Sequence, residues 1–231
     1  MLLASLGLFV AGCGTPHGSS IVRPRTQWPG AIARPRQDRT ATVEPAPRRS
    51  NPAATPPRPA SDGLAAIPRS RWASTGPVDG RVNPLNGVAR ITVHHEGWTS
   101  FFHTDENTTA DRIEQIRQVH VRDRGWGDIG YHYIIDRAGR AWQCRSLRYQ
   151  GAHVANNNEN NLGVMLLGNF DKQTPSSAQI DCLVATLRSL MATHRVPTHR
   201  VYTHQELSPS ACPGRNLQPR VVSLRQGGHL A

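Results

Sequence analysis

Three side chains in this sequence have types and settings suited to holding a metal. His94 closes the stretch ARITVH, in which apolar Ile91 and Val93 alternate with polar Thr92 and His94. His204 follows another strand-like stretch, 200–203, and Cys212 lies eight residues further on, in HQELSPSACPG. A strand end and a proline-containing loop can converge at the edge of a sheet. Two imidazoles and one thiolate form a good zinc set, and three protein ligands leave a fourth position for water. Zinc lowers the pKa of such a water to about 7, which makes hydroxide available at neutral pH. The His-x7-Cys spacing alone is weak support, because short motifs recur by chance. With eleven histidines in the chain, most must be surface or satisfied core residues rather than ligands.

These side chains need a scaffold, and the periodicity supplies one. Residues 89–94 alternate with period two, as a strand with one polar face does. Residues 108–122 carry Ile113, Ile116 and Val119 at helical spacing, with threonines ahead of them as caps, and Arg124-Gly125-Trp126-Gly127 ends that helix. Residues 131–136 (YHYIID) read as a second strand, Arg137-Ala138-Gly139 as a turn, and 140–143 as the returning arm of a hairpin. Residues 162–167 (LGVMLL) are almost wholly apolar, as expected of a central strand covered on both faces. Residues 177–192 place Ile180, Leu183, Val184, Leu187, Leu190 and Met191 on one stripe of a second helix. Strands alternating with helices predict a single α/β domain over 67–224. At about 155 residues it is long enough for a substantial core. Residues 225–231 are expected as a flexible tail.

Ahead of residue 67 the composition changes. Residues 1–12 (MLLASLGLFVAG) are apolar and uncharged, and Val10-Ala11-Gly12-Cys13 resembles the lipobox of bacterial lipoproteins. That resemblance implies a signal peptide cleaved before Cys13 and acylation of the Cys13 thiol, although the usual Lys or Arg near the start is missing. Residues 14–66 hold ten prolines and eight arginines against three acids, a net charge of +5. Proline removes backbone donors and like charges repel, so an extended, solvated tether is expected. An electrostatic hold on anionic polymer or lipid head groups is the alternative.

The whole chain of 231 residues carries +11, which leaves nucleic acid, a membrane surface or a cell-wall polymer as anionic partners. No nucleic-acid motif occurs, and five of the eleven charges lie in the tether, so no nucleic-acid partner is expected. No apolar run reaches the roughly 18 residues of a membrane-spanning helix. Four cysteines are too few for a disulfide-built scaffold, and no Cys-x-x-Cys pair points to a zinc-finger array. Cys144 and Cys182 are expected as free buried thiols.

Six stretches, taken in order, resemble the amidase-2 family, which comprises bacterial and phage N-acetylmuramoyl-L-alanine amidases and the peptidoglycan recognition proteins. They are Ile67-Pro68-Arg69-Ser70-Arg71-Trp72, Ile91-Thr92-Val93-His94-His95, Gly125-Trp126-Gly127-Asp128-Ile129-Gly130-Tyr131-His132-Tyr133, Gly151-Ala152-His153, Asn158-x-Asn160-Asn161-Leu162-Gly163-Val164, and His204 through Pro213. The resemblance covers about 67–224, essentially the whole folded part. It implies a central mixed β-sheet flanked by helices, with a zinc site at the sheet edge in a substrate groove.

The resemblance also implies roles. His94, His204 and Cys212 bind Zn2+. Tyr131 points its hydroxyl at water on the metal or at the developing oxyanion. Ser210, two before the ligand cysteine, is a second polar catalytic group. Family members carry lysine or threonine there, and serine can donate a hydrogen bond but brings no positive charge. His153 and Asn158 match positions that line the substrate groove. The general base stays open between Glu96, His132 and zinc-bound hydroxide. Glu206 reads as an orienter or a salt-bridge partner, and His95 as structural. Trp72, Trp98, Trp126 and Trp142 can be core anchors or sugar platforms.

The reaction implied is hydrolysis of the amide between the lactyl group of N-acetylmuramic acid and L-alanine of peptidoglycan. The partners are then muropeptides and, through Cys13, a membrane. The protein is expected as an exported, envelope-located monomer. A non-catalytic peptidoglycan-binding module on the same fold is the alternative, and binding-only members of the family lack the ligand cysteine.

Overall fold

The structure is a computed structural model that describes residues 64–230. The expected signal peptide, lipobox and most of the tether lie outside the described residues. Six strands, β1 (Ala66–Ile67), β2 (Arg90–His95), β3 (Tyr133–Ile135), β4 (Ala141–Gln143), β5 (Asn161–Leu166) and β6 (Val201–Thr203), form one sheet. Its order is β1-β4-β3-β5-β2-β6. Only the β3–β4 pair is antiparallel, so the sheet is mixed. Four α-helices, α1 (Glu106–Arg122), α2 (Ser177–His194), α3 (His204–Leu207) and α4 (Gln218–Gln226), and two short 3-10 turns, Arg69–Arg71 and Thr198–Arg200, complete the described fold.

The alternation of β2 sorts its side chains between two cores. Ile91 and Val93 join Leu162, Val164, Tyr133 and Ile135 against Leu183, Leu187 and Leu190 of α2. On the other face Ile134, Trp142 and Met165 pack against Ile113 and Ile116 of α1. β5 is buried at every position, which is why its sequence shows no polar alternation. Thr92 and His94 therefore stand on the α1 side of the sheet.

The helix ends differ in detail from expectation. The start of α1 is capped by Asp105, whose Oδ1 accepts the Thr108 N–H at 2.8 Å, so the helix begins two residues before the threonines. An acidic side chain at that place also suits the positive end of the helix dipole. Ser176 and Gln179 form a reciprocal capping box on α2, which runs on to His194.

The stretch 225–231, expected as a flexible tail, is corrected up to Leu230. Arg225 lies in α4 and is ion-paired with Glu206 at 2.7 Å, and Leu230 is buried against the α2-side core. Cys144 lies in the α1-side core and Cys182 against the α2-side core. The sheet separates them, and among the described residues Cys144, Cys182 and Cys212 are all free thiols.

One ion pair between a partly exposed arginine and a buried carboxylate joins two of the recognisable stretches. The Arg69 guanidinium donates to both carboxylate oxygens of Asp128 at 3.0 Å, and Asp128 has no exposed surface. Arg145 donates to the carbonyls of Asp128, Ile129 and Gln150 from the same side. Ahead of Tyr131, the backbone is thus fixed by charge-assisted hydrogen bonds.

Candidate metal centre

Two segments meet at the β6 edge of the sheet to build the site. β2 brings His94 opposite Met165 of β5, one strand in from the edge. After β6 the chain turns at once into α3. Glu206 fixes that turn, because its carboxylate accepts from the Thr203 N–H (2.7 Å) and hydroxyl (3.0 Å) and is held in turn by Arg225. His204 is the first residue after the turn. The following loop folds back through Gln205, whose N–H donates to the Cys212 carbonyl at 2.9 Å. Ser210 Oγ accepts the Cys212 N–H at 3.1 Å. The His95 N–H then donates to Cys212 Sγ at 3.3 Å, tying the loop to β2.

The result brings the three predicted ligands together. Donor atoms of His94, His204 and Cys212 lie within 4.8 Å of one another. Cys212 Sγ is 3.6 Å from His94 Nδ1. Tetrahedral zinc, with Zn–S of about 2.3 Å and Zn–N of about 2.0–2.1 Å, sets a sulfur and a nitrogen roughly 3.6 Å apart. The donor set and this separation fit zinc. Burial, joined by the neighbouring imidazoles of His153, His204 and His95, holds the His94 pKa well below the usual histidine range. Its ring therefore stays neutral with one lone pair to give. Burial pushes the Cys212 thiol up to about 12, against the pull of the His95 amide. Binding a metal must displace that proton.

The other predicted residues take these places. Tyr131 stands beside His94, with ring centroids 5.2 Å apart, just before β3 rather than in it. Burial raises its phenol above the usual range, so the hydroxyl keeps its proton. His153 is buried and lies at right angles to His94, with Nδ1 3.0 Å from His94 Nε2. Asn158 Oδ1 accepts the N–H groups of His153 and Val154, both at 2.8 Å. His95 faces the opposite side, where its Nδ1 accepts the Phe170 N–H.

The two side chains considered as general base are engaged elsewhere. His132 Nδ1 accepts the Gly163 N–H, and its Nε2 donates to the Tyr149 carbonyl. Glu96 is buried and ion-paired with Arg112, with its pKa pushed up to about 7 by burial.

Trp142 and Trp72 are core residues. Trp98 and Trp126 are half-buried, each with an arginine over its ring. His120 is a residue the sequence reading did not single out. It is buried behind Tyr131, with ring centroids 5.8 Å apart, and its Nδ1 accepts the Gly130 N–H. Helical spacing from Ile113 and Ile116 put it on the buried face of α1, which was the only signal available.

So many buried neutral imidazoles make stability depend on pH. Burial lowers His132 to about 4 and His120 to about 3, against about 6.5 in an unfolded chain. The unfolded state binds protons first as pH falls, so stability held above pH 6.5 is lost on the way to pH 4. At about 1.4 kcal/mol per pKa unit, His132 alone contributes on the order of 3 kcal/mol. Glu96 works in the opposite sense, but His94 and His153 add to the loss. The urea midpoint of the metal-free protein is expected to fall steadily between pH 6.5 and 4. A flat profile over that window would contradict the neutral, buried assignment.

A family model described as N-acetylmuramoyl-L-alanine amidase matches residues 84–215, more than half of the chain, and the chain belongs to that family. It is 25% identical over 156 residues to peptidoglycan-recognition protein SC2 of Drosophila melanogaster, covering 67% of this chain and 83% of that protein. It is 30% identical over 159 residues to the N-acetylmuramoyl-L-alanine amidase of Homo sapiens, covering 67% of this chain but 27% of that protein. Among solved structures, peptidoglycan recognition protein-LE in complex with tracheal cytotoxin, a monomeric diaminopimelic acid-type peptidoglycan, superposes with a TM-score of 0.63. The identity is 25%, over 69% of this chain and 93% of that one.

Proposed function

We propose that the protein is a zinc-dependent amidase that cleaves the amide between the lactyl group of N-acetylmuramic acid and L-alanine in peptidoglycan. The observation that carries this reading is the convergence of His94, His204 and Cys212 beside the ring of Tyr131. A module that only binds peptidoglycan requires no thiol among these imidazoles. The family, and a relative solved with a muropeptide, support the substrate class.

When bound, zinc supplies a Lewis acid that polarises a carbonyl and acidifies water. The chain's own residues do the rest. His94, His204 and Cys212 hold the metal. Tyr131, protonated and largely out of water, donates to the oxyanion that forms as the amide carbonyl becomes tetrahedral. Ser210 uses its oxygen to hold the Cys212 amide and keeps its own proton for donation. Tyr131→Phe is expected to lower kcat by roughly 10²–10³-fold, with zinc content and KM little changed. An unaltered kcat in steady-state assays would remove Tyr131 from the chemistry.

We also propose an envelope location with an acyl chain on Cys13, supported by Val10-Ala11-Gly12-Cys13, and a monomeric state. Intact-mass analysis of protein from membranes reads the acylation directly.

The test of the activity is digestion of purified peptidoglycan by the full chain, with and without a chelator. Mass spectrometry should find stem peptides that begin with L-alanine and peptide-free glycan, both lost on chelation. Zinc-loaded protein that pulls down peptidoglycan and leaves it intact would instead make this a binding module.

A further inference from the structure

We infer that His153 is a positioning residue for the ligand His94. It fixes the proton of His94 on Nε2 and leaves Nδ1, with a free lone pair, facing Cys212. The inference rests on the zinc reading above and goes beyond the ligand set to the atom that binds.

The Asn161 carbonyl can only accept, and it lies 3.2 Å from His153 Nε2. A neutral His153 must therefore carry its proton on Nε2, which makes Nδ1 an acceptor. That Nδ1 is 3.0 Å from His94 Nε2, so His94 donates from Nε2 and its bare nitrogen is Nδ1. Nδ1 is also the atom 3.6 Å from Cys212 Sγ. A donor hydrogen bond from the far nitrogen both orients a ligand imidazole and raises its basicity.

Several other residues keep His153 in place. A Cβ at Gly163 would come within 2.7 Å of His153 Cδ2, and one at Gly151 within 2.4 Å of the same atom. Two glycines from separate segments thus clear the room for one ring. Asn158 holds the His153 backbone. Asn161, whose backbone carbonyl accepts from His153 Nε2, has its side-chain Oδ1 held by the Thr92 hydroxyl at 2.8 Å. Thr92 pairs with Gly163 across β2 and β5. The Gly-Ala-His and Asn-rich stretches thereby form one support beneath His94.

The test measures zinc affinity by chelator competition and the His94 tautomer by 15N NMR, both on the full chain. In the metal-free wild type the proton of His94 is expected on Nε2. His153→Ala should weaken zinc binding roughly 10–100-fold. His153→Asn, whose amide oxygen takes the place of Nδ1 as acceptor, should recover most of that loss. Gly163→Ala, which leaves His153 present but crowds its ring, should weaken zinc as well. A His94 proton on Nδ1 overturns the inference. So does a His153→Ala chain that unfolds cooperatively and binds zinc as tightly as wild type. A wild type that takes up no zinc sinks the zinc reading instead, and the tautomer measurement still decides where His94 keeps its proton.

Discussion

Cys212→Ser is expected to eliminate tight zinc binding and peptidoglycan hydrolysis while leaving the fold in place. Serine is the informative replacement because Cys212 has two roles. Its sulfur is one of the three donor atoms that could hold a metal, and it also accepts the His95 N–H at 3.3 Å. Alanine would leave that amide unsatisfied, at a cost of about 1–3 kcal/mol, and would mix a folding defect with a metal defect. A serine oxygen still accepts the N–H but does not ionise to replace a thiolate. Loss of the metal's charge stabilisation, at about 4 kcal/mol, corresponds to roughly 10³-fold in rate. Elemental analysis, thermal unfolding without metal and the peptidoglycan digest together check this. A Cys212→Ser protein that still releases stem peptides at near wild-type rate would show that the group is not the catalytic centre.

The second large effect concerns stability rather than chemistry. Asp128→Ala removes a carboxylate with no exposed surface that accepts two hydrogen bonds from Arg69. Arg69 keeps some exposure and its hydrogen bonds to the Thr75 and Cys144 carbonyls, so the loss is expected at the low end of the range for a broken buried pair, about 3 kcal/mol. For a domain of this size that is roughly 10 °C in Tm. Removing Arg69 as well should return part of the loss, which a double-mutant cycle measures. Zinc affinity of the folded Asp128→Ala protein is expected to be unchanged. A Tm shift under about 2 °C would show that the pair contributes little.

That pair also explains what could be read from the sequence. The opening segment with Arg69 and the run containing Asp128 stand out as separate stretches, yet they are two halves of one interaction. β2, β5, α1 and α2 were legible because burial on one or both faces imposes a period on many residues. α4 was not, since QPRVVSLRQ offers only Val221, Val222 and Leu224 and its packing on β6 is a tertiary matter. The two-residue β1 is too short to show any period.

In the site, His94 and His204 were legible as residue types at strand ends, and Cys212 as a thiol in a proline-containing loop. The placement of His153 beneath His94 was not. It depends on the parallel register that sets Gly163 beside Thr92, and no spacing along the chain encodes that. The same holds for His132, whose two nitrogens are taken by backbone groups that become neighbours only in the folded sheet.

The position of β1 has a mechanical consequence. The described chain enters at one edge strand, and the metal group is built at the other, beside β6. Five interstrand gaps of about 4.8 Å put roughly 24 Å of sheet between them. A load applied at Leu64 would enter the domain at the edge strand farther from the metal group. Such a load falls first on the β1–β4 pair, while His94 on β2 and the segment after β6 that carries His204 and Cys212 lie toward the opposite edge of the sheet.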